Sequence, residues 1–168
     1  MNLLKIFAFL LLPVLGFSQS KVHWLTMEEA IAKSKVEKRK IFIDVYTHWC
    51  GWCKKMEKST FQTDEVAKIL NEDYYPVKLD AEQKAPITFN GRVFQYVKSG
   101  RGGYHELAAY FLDSQMSYPT VVFLDENLNI IQAIPGYRDK KEFALMANYF
   151  GKNFHKRMSW AAYSKKYK

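Results

Sequence analysis

The segment Cys50-Gly51-Trp52-Cys53 restricts this chain more than any other. Three residues before it ends the run Ile41-Phe42-Ile43-Asp44-Val45-Tyr46, apolar except for one acid. A run of that length, rich in β-branched and aromatic residues, reads as a buried and parallel strand. From Cys50 to about Ser59 the pattern turns helical. Both thiols are therefore predicted at a strand-to-helix junction, with Cys50 at the helix N-terminus and Cys53 one turn inside. Unpaired N–H groups and the helix dipole favour a thiolate at the first position, and Lys54 and Lys55 add positive charge. Cys50 is thus the expected attacking thiolate, and Cys53, expected to be the more buried, the resolving thiol.

Other uses of the pair stay open at this level. An inert bridge would close so small a loop that it constrains the unfolded chain little. A zinc site has two thiolates to draw on and four scattered histidines, His23, His48, His105 and His155. Haem attachment needs a histidine where Lys54 stands. The residues favour redox cycling over all three, with no metal and no cofactor expected in the chain itself.

The chain has 168 residues, 48% apolar, which is the length of about one domain and enough apolar material for one core. Two cysteines exclude a multi-bridge disulfide scaffold. The net charge of +8 reads as a basic surface, and no DNA- or RNA-reading motif accompanies it, so no nucleic-acid partner is expected. Met1–Ser18 reads as an export signal: Lys5 precedes an apolar stretch, and Gly16 and Ser18 are small residues suited to cleavage before Gln19. That stretch is short of the roughly 20 residues a spanning helix takes, so no stable membrane insertion is expected. The mature chain, 19–168, is expected to be periplasmic or secreted, where disulfides persist.

Elsewhere, Thr26 and Glu29 form a capping box for a first helix, with Leu25 and Ala30 as a hydrophobic staple and Lys38-Arg39-Lys40 at its end. Thr63 is expected to cap a helix to Leu70. Tyr74–Leu79 and Thr120–Leu124 read as strands, the latter turning at Asp125-Glu126-Asn127 into Ile130–Ile134. Asp139 caps a long helix to Phe150. In 81–117, Gly100, Gly102 and Gly103 mark a loop and Tyr104–Leu112 a helix. The tail 152–168 is aromatic and basic, with room for a short helix. This alternation predicts an α/β fold, a central mixed sheet flanked by helices.

The segment Ile41–Met56, IFIDVYTHWCGWCKKM, resembles the active-site strand and helix of the thioredoxin superfamily, nearest to exported bacterial thioredoxin-like proteins with W-C-x-W-C-K-K-M. Pro76-Val77-Lys78-Leu79-Asp80, Tyr118-Pro119-Thr120 and Ile134-Pro135-Gly136-Tyr137 fit the same group. The resemblance covers most of residues 24–150. Gly51-Trp52 departs from the Gly-Pro of cytosolic thioredoxins, and 81–117 is longer than in the minimal fold, so it is taken as an insertion before the cis-proline strand. The resemblance implies a thioredoxin-like fold and thiol–disulfide oxidoreductase activity, with Asp44 as the buried acid serving Cys53, Lys78 facing it, and Pro119 cis. Tyr118 and Pro119 are implied as substrate-binding residues. Trp49 and Trp52, which flank and interrupt the motif, read from their own chemistry as an apolar platform for partner chains or as packing against neighbouring loops, with Trp49 taken as substrate-binding and Trp52 as supporting. Trp49 is expected to pack more than Trp52. The expected partners are proteins with disulfides or thiols and a separate redox partner, met by a monomer. Reduction of disulfides is the leading activity; an isomerase or oxidase, and a non-catalytic binding module, are the alternatives.

Overall fold

Strand β1 (Lys40–Tyr46) alternates strictly between two cores. Ile41, Ile43 and Val45 enter one, Phe42 the other, so both faces are covered and the run carries almost no polar residue. The computed structural model describes residues 21–167; the leader expected over Met1–Ser18 lies outside the described residues.

Four strands make the central sheet, in the order β2 (Tyr74–Asp80), β1, β7 (Thr120–Leu124), β8 (Ile130–Pro135). β1 runs parallel to β2 and antiparallel to β7, and β7 pairs antiparallel with β8. The sheet is mixed and flanked by helices, as the alternation of elements predicts.

On one face lies α1 (Met27–Val36), and the predicted capping box is present: Glu29 N–H donates to Thr26 Oγ1, and Thr26 N–H to Glu29. Its last turn carries Lys33 and Lys35 rather than the Lys38–Lys40 segment. Lys40 instead opens β1, where it is buried and paired with Glu126 at 2.6 Å. The same face is covered by residues from 81–117, which form more than the expected loop and helix. Hairpin β3 (Ile87–Phe89) to β4 (Arg92–Phe94) turns at Asn90-Gly91, both at positive φ. A second hairpin joins β5 (Tyr96–Ser99) to β6 (Gly102–His105). Gly102, Gly103 and Tyr104 thus belong to a strand, and α4 (Glu106–Phe111) starts two residues later than expected.

His105 explains that shift. Its Nδ1 accepts the Leu107 N–H and caps α4, while Nε2 reaches Ala85 O at 3.2 Å. The Nδ1 contact requires the neutral ring with its proton on Nε2, which donates to Ala85 O, and burial pulls the pKa below the ordinary 6.5. We expect His105→Ala to cost about 1–2 kcal/mol in denaturant unfolding at pH 7.5, as lost caps do. A histidine with a lowered pKa stabilises fully above its ordinary value and loses that contribution as pH falls through the folded one. The gap between wild type and variant should therefore shrink on acidification from about pH 7 to pH 5.

The opposite face carries α2 (Gly51–Met56), a π-helical turn (Glu57–Phe61), α3 (Asp64–Asp73), α5 (Lys140–Gly151) and α6 (Trp160–Tyr167). Phe42, Phe61, Phe123 and Phe143 pack there as a connected aromatic cluster. Asp139 caps α5 through Lys141 and Glu142 N–H, as expected. Thr63 precedes α3, but its hydroxyl donates to Thr60 O, so no side chain caps that helix. The tail forms a helix that buries Tyr163.

Candidate active site

The site forms where β1 runs out. Cys50 N–H donates to Thr47 O (3.2 Å), closing a tight turn that leaves Cys50 in extended geometry as the cap of α2. Its Sγ accepts the Cys53 N–H at 3.0 Å, which directs a helix-terminal donor at the sulfur. Cys50 and Cys53 are joined by a disulfide. They are 5% and 4% exposed, so Cys53 is the more buried by a single percentage point; the bonded sulfurs share one shielded position.

Six residues before Cys50, Asp44 stands directly opposite Lys78 in the parallel register of β1 and β2. Lys78 Nζ lies 3.1 Å from Asp44 Oδ2, the pairing that the resemblance implies. Asp44 is 1% exposed and neither of its oxygens completes a hydrogen bond of good geometry. Burial outweighs the Lys78 charge and raises the Asp44 pKa from 3.8 to about 6. Lys78 moves up as well: its burial pulls it down, but Asp44 and Glu57 outweigh that.

Glu57 is the residue that sequence reasoning passed over. It sits four residues after Cys53, where the π-helical turn begins, and Oε2 meets Lys78 Nζ at 2.5 Å. Trp24 Nε1 and Gln62 Nε2 both donate to Glu57 Oε1, at 3.2 and 2.5 Å. One lysine thus bridges two carboxylates, above the faces of Trp24 and Tyr46. The available signal was the helical spacing itself, which returns residue 57 to the Cys53 side of the helix.

Two aromatic pairs flank the disulfide. Trp49 meets the edge of Tyr118 at 5.8 Å and donates Nε1–H to Glu82. Trp52 packs on Tyr137 at 5.3 Å, with Lys55 Nζ over both rings. Trp49 is 66% exposed and Trp52 56%, the reverse of the expected order, because Tyr137 and the Lys55 chain cover more of Trp52 than Tyr118 covers of Trp49. The Tyr118–Pro119 bond is cis, as the resemblance implies, and Gly136 N–H donates to Pro119 O, which sets the Tyr118 and Tyr137 loops side by side. His48 points to Asp80 at 3.2 Å rather than to the sulfurs. Among the described residues no three His, Cys, Asp or Glu side chains come together as metal ligands, and no helix is long and apolar enough to cross a membrane.

Comparison with known proteins fits this geometry. A family model described as "Thioredox_DsbH: Protein of unknown function, DUF255" matches residues 13–146. Spermatogenesis-associated protein 20 of Homo sapiens is 32% identical over 92 residues, 54% of this chain but 12% of that protein. An uncharacterized protein of Caenorhabditis elegans, B0495.5, is likewise 32% identical over 92 residues, 54% of this chain and 13% of its own length. The chain therefore spans only about an eighth of the length of these relatives. An uncharacterized protein of Archaeoglobus fulgidus is 30% identical over 88 residues, 51% of this chain and 69% of that one. Among solved structures, "DsbH Oxidoreductase" superposes with a TM-score of 0.58 at 18% identity, covering 90% of this chain and 94% of that one. A thioredoxin-fold protein from Helicobacter pylori gives 0.59 at 17% identity, over 77% and 80% of the two chains. The fold is thioredoxin-like, and a close cysteine pair at this position supports a redox role in the broad sense.

Proposed function

The chain belongs to the Thioredox_DsbH family, and from that membership and the bonded pair at the head of α2 we propose that it is an exported thiol–disulfide oxidoreductase that reduces disulfides in partner proteins. The observation that carries the reading is Cys50 as the cap of α2, its sulfur accepting a helix-terminal N–H, at the end of the strand whose buried Asp44 pairs with Lys78, which also holds Glu57. The reduced Cys50 thiolate attacks one sulfur of a partner disulfide, the partner's other sulfur leaves as a thiolate, and a mixed disulfide forms. Cys53 then attacks Cys50, giving its proton through water to Asp44. The Cys50–Cys53 bond forms, and the partner's second sulfur leaves as a thiolate. Two electrons pass from the pair to the partner; a dithiol donor protein restores the reduced state. Tyr118, Pro119 and Trp49 line the approach of an extended substrate segment, which pairs in a β-like way with the Tyr118 backbone. The Met1–Ser18 leader carries the protein to a compartment where such bridges persist, and supports the exported part of the proposal.

The test is a titration with a redox readout. In the reduced protein Cys50 is expected to ionise below the ordinary thiol value of about 8.5. The pair is expected to equilibrate reversibly with a thiol buffer, at a potential nearer to the reductant-like value of about −270 mV than to the oxidant-like value of about −120 mV. An ordinary Cys50 thiol and a pair that never reopens would end the proposal. A potential near the oxidant end would keep the exchange chemistry and reverse its direction.

A further inference from the structure

The two sides of the disulfide differ in charge. Toward the end of β2, the acids are engaged: Asp80 with His48, Glu82 with Trp49, and Asp44 and Glu57 with Lys78. On the α2 side, Lys54, Lys55 and Lys58 are exposed, and among the described residues no carboxylate comes within ion-pair distance of any of them. Lys55 is also fixed in place. Its Nζ lies 4.6 Å from the Trp52 ring centre and 5.2 Å from that of Tyr137. Tyr137 is itself anchored, its hydroxyl 3.1 Å from Ser59 Oγ on the same helical segment. A cation held over two rings loses little rotamer freedom when an anion arrives, which lowers the cost of pairing.

We propose that Lys55, with Trp52 and Tyr137, is a specificity site for an acidic side chain beside the reacting cysteine of an extended partner segment. The inference rests on the oxidoreductase reading above. Charge complementarity chooses the occupant: an anionic side chain pairs with Lys55 while its methylenes rest on Trp52, whereas a basic one meets three unpaired lysines.

The test uses the full chain in its reduced form and three synthetic peptides. Each carries one cysteine in a mixed disulfide with thionitrobenzoate, and Glu, Gln or Lys beside that cysteine, with both flanking positions sampled. Two electrons pass from the Cys50/Cys53 pair to the peptide disulfide, which is cleaved to the peptide thiol and thionitrobenzoate, the latter read by absorbance. The Glu peptide is expected to react about three- to tenfold faster than the Lys peptide, a ratio that narrows as salt rises to about 0.5 M. In Lys55→Glu the ratio is expected to fall to one or invert. Because it is taken within one variant, it is insensitive to any change in thiolate reactivity. Lys38→Glu, the same charge change beyond the far end of β1, is expected to keep the wild-type ratio. A wild-type ratio of one, or an equal ratio in wild type and Lys55→Glu, overturns the inference while reaction with the Gln peptide leaves the oxidoreductase reading standing. If the Gln peptide does not react at all, both readings fall.

Discussion

Cys53→Ala is expected to stall on its substrates, joined to them through Cys50, while Cys50→Ala is expected to lose exchange altogether. The asymmetry follows from the cap. Cys50 accepts the Cys53 N–H and opens α2, so a negative sulfur at residue 50 gains a donor and the positive end of a helix dipole. Cys53 lies within the first turn of that helix, facing the buried side. Removing the resolving thiol leaves the first displacement intact and blocks the second, so mixed disulfides accumulate. Removing the attacking thiol takes away the covalent nucleophile, which is expected to cost on the order of 10³-fold or more. Non-reducing electrophoresis with mass spectrometry of the trapped cross-link reads the first result, and the rate of peptide disulfide reduction the second. A Cys50→Ala protein that exchanged at a comparable rate through Cys53 would reverse the two roles. Accumulation of no adduct in Cys53→Ala with any partner would leave the pair a passive bridge.

What the sequence disclosed, and what it hid, divides along the range of the interactions. β1 was legible because burial on both faces removes polar residues from it, and Asp44 stood out as the exception. The capping box of α1 and the Asp139 cap of α5 were legible because they close within three residues. Hairpin β3–β4 carried a readable signal, Asn90-Gly91 between short apolar runs, yet its three-residue strands are too brief for alternation to register. The order of exposure of Trp49 and Trp52 depends on Tyr118 and Tyr137, 69 and 85 residues away in the chain, and no local rule places those loops beside the motif. Lys40 is similar. Beside Lys38 and Arg39 it reads as the end of a helix, and its burial is made tolerable by partners far along the chain, Glu126 and the Gly151 carbonyl, 86 and 111 residues on. Glu57 lay between these cases: its helical spacing from Cys53 was visible, but its partners Trp24 and Lys78 come from two other elements.

Asp44→Ala is expected to stabilise the oxidised protein at pH 8 and to slow its chemistry. The acid is buried, and its pKa rises from 3.8 to about 6 because desolvation outweighs the Lys78 charge. A group whose folded pKa is raised favours folding when protonated. Its stabilising effect is complete below pH 3.8 and is lost as pH climbs through 6. At about 1.4 kcal/mol per pH unit, the ionised Asp44 costs the wild type on the order of 2–3 kcal/mol at pH 8. Alanine removes that cost. Lys78 is not orphaned, since Glu57 still holds it at 2.5 Å, so the usual penalty for breaking a buried pair is reduced. The measurement is the difference in unfolding free energy between variant and wild type, in the disulfide-bonded form where neither cysteine titrates. The pH-dependent part of that difference should grow from near zero at about pH 4 to its full value by about pH 8, and other carboxylates cancel in it. A difference that does not change with pH would mean that Asp44 ionises normally and has no proton to exchange. The companion effect is kinetic: without a base of pKa about 6, the Cys53 proton goes to bulk water, and the release step is expected to slow by about 10- to 100-fold near pH 7. Gain of stability together with loss of rate at one residue separates the roles, because an acid kept only for structure would lose both. The fold tolerates an unfavourable carboxylate at this depth, and the role proposed for Asp44, to accept the Cys53 proton, would account for it.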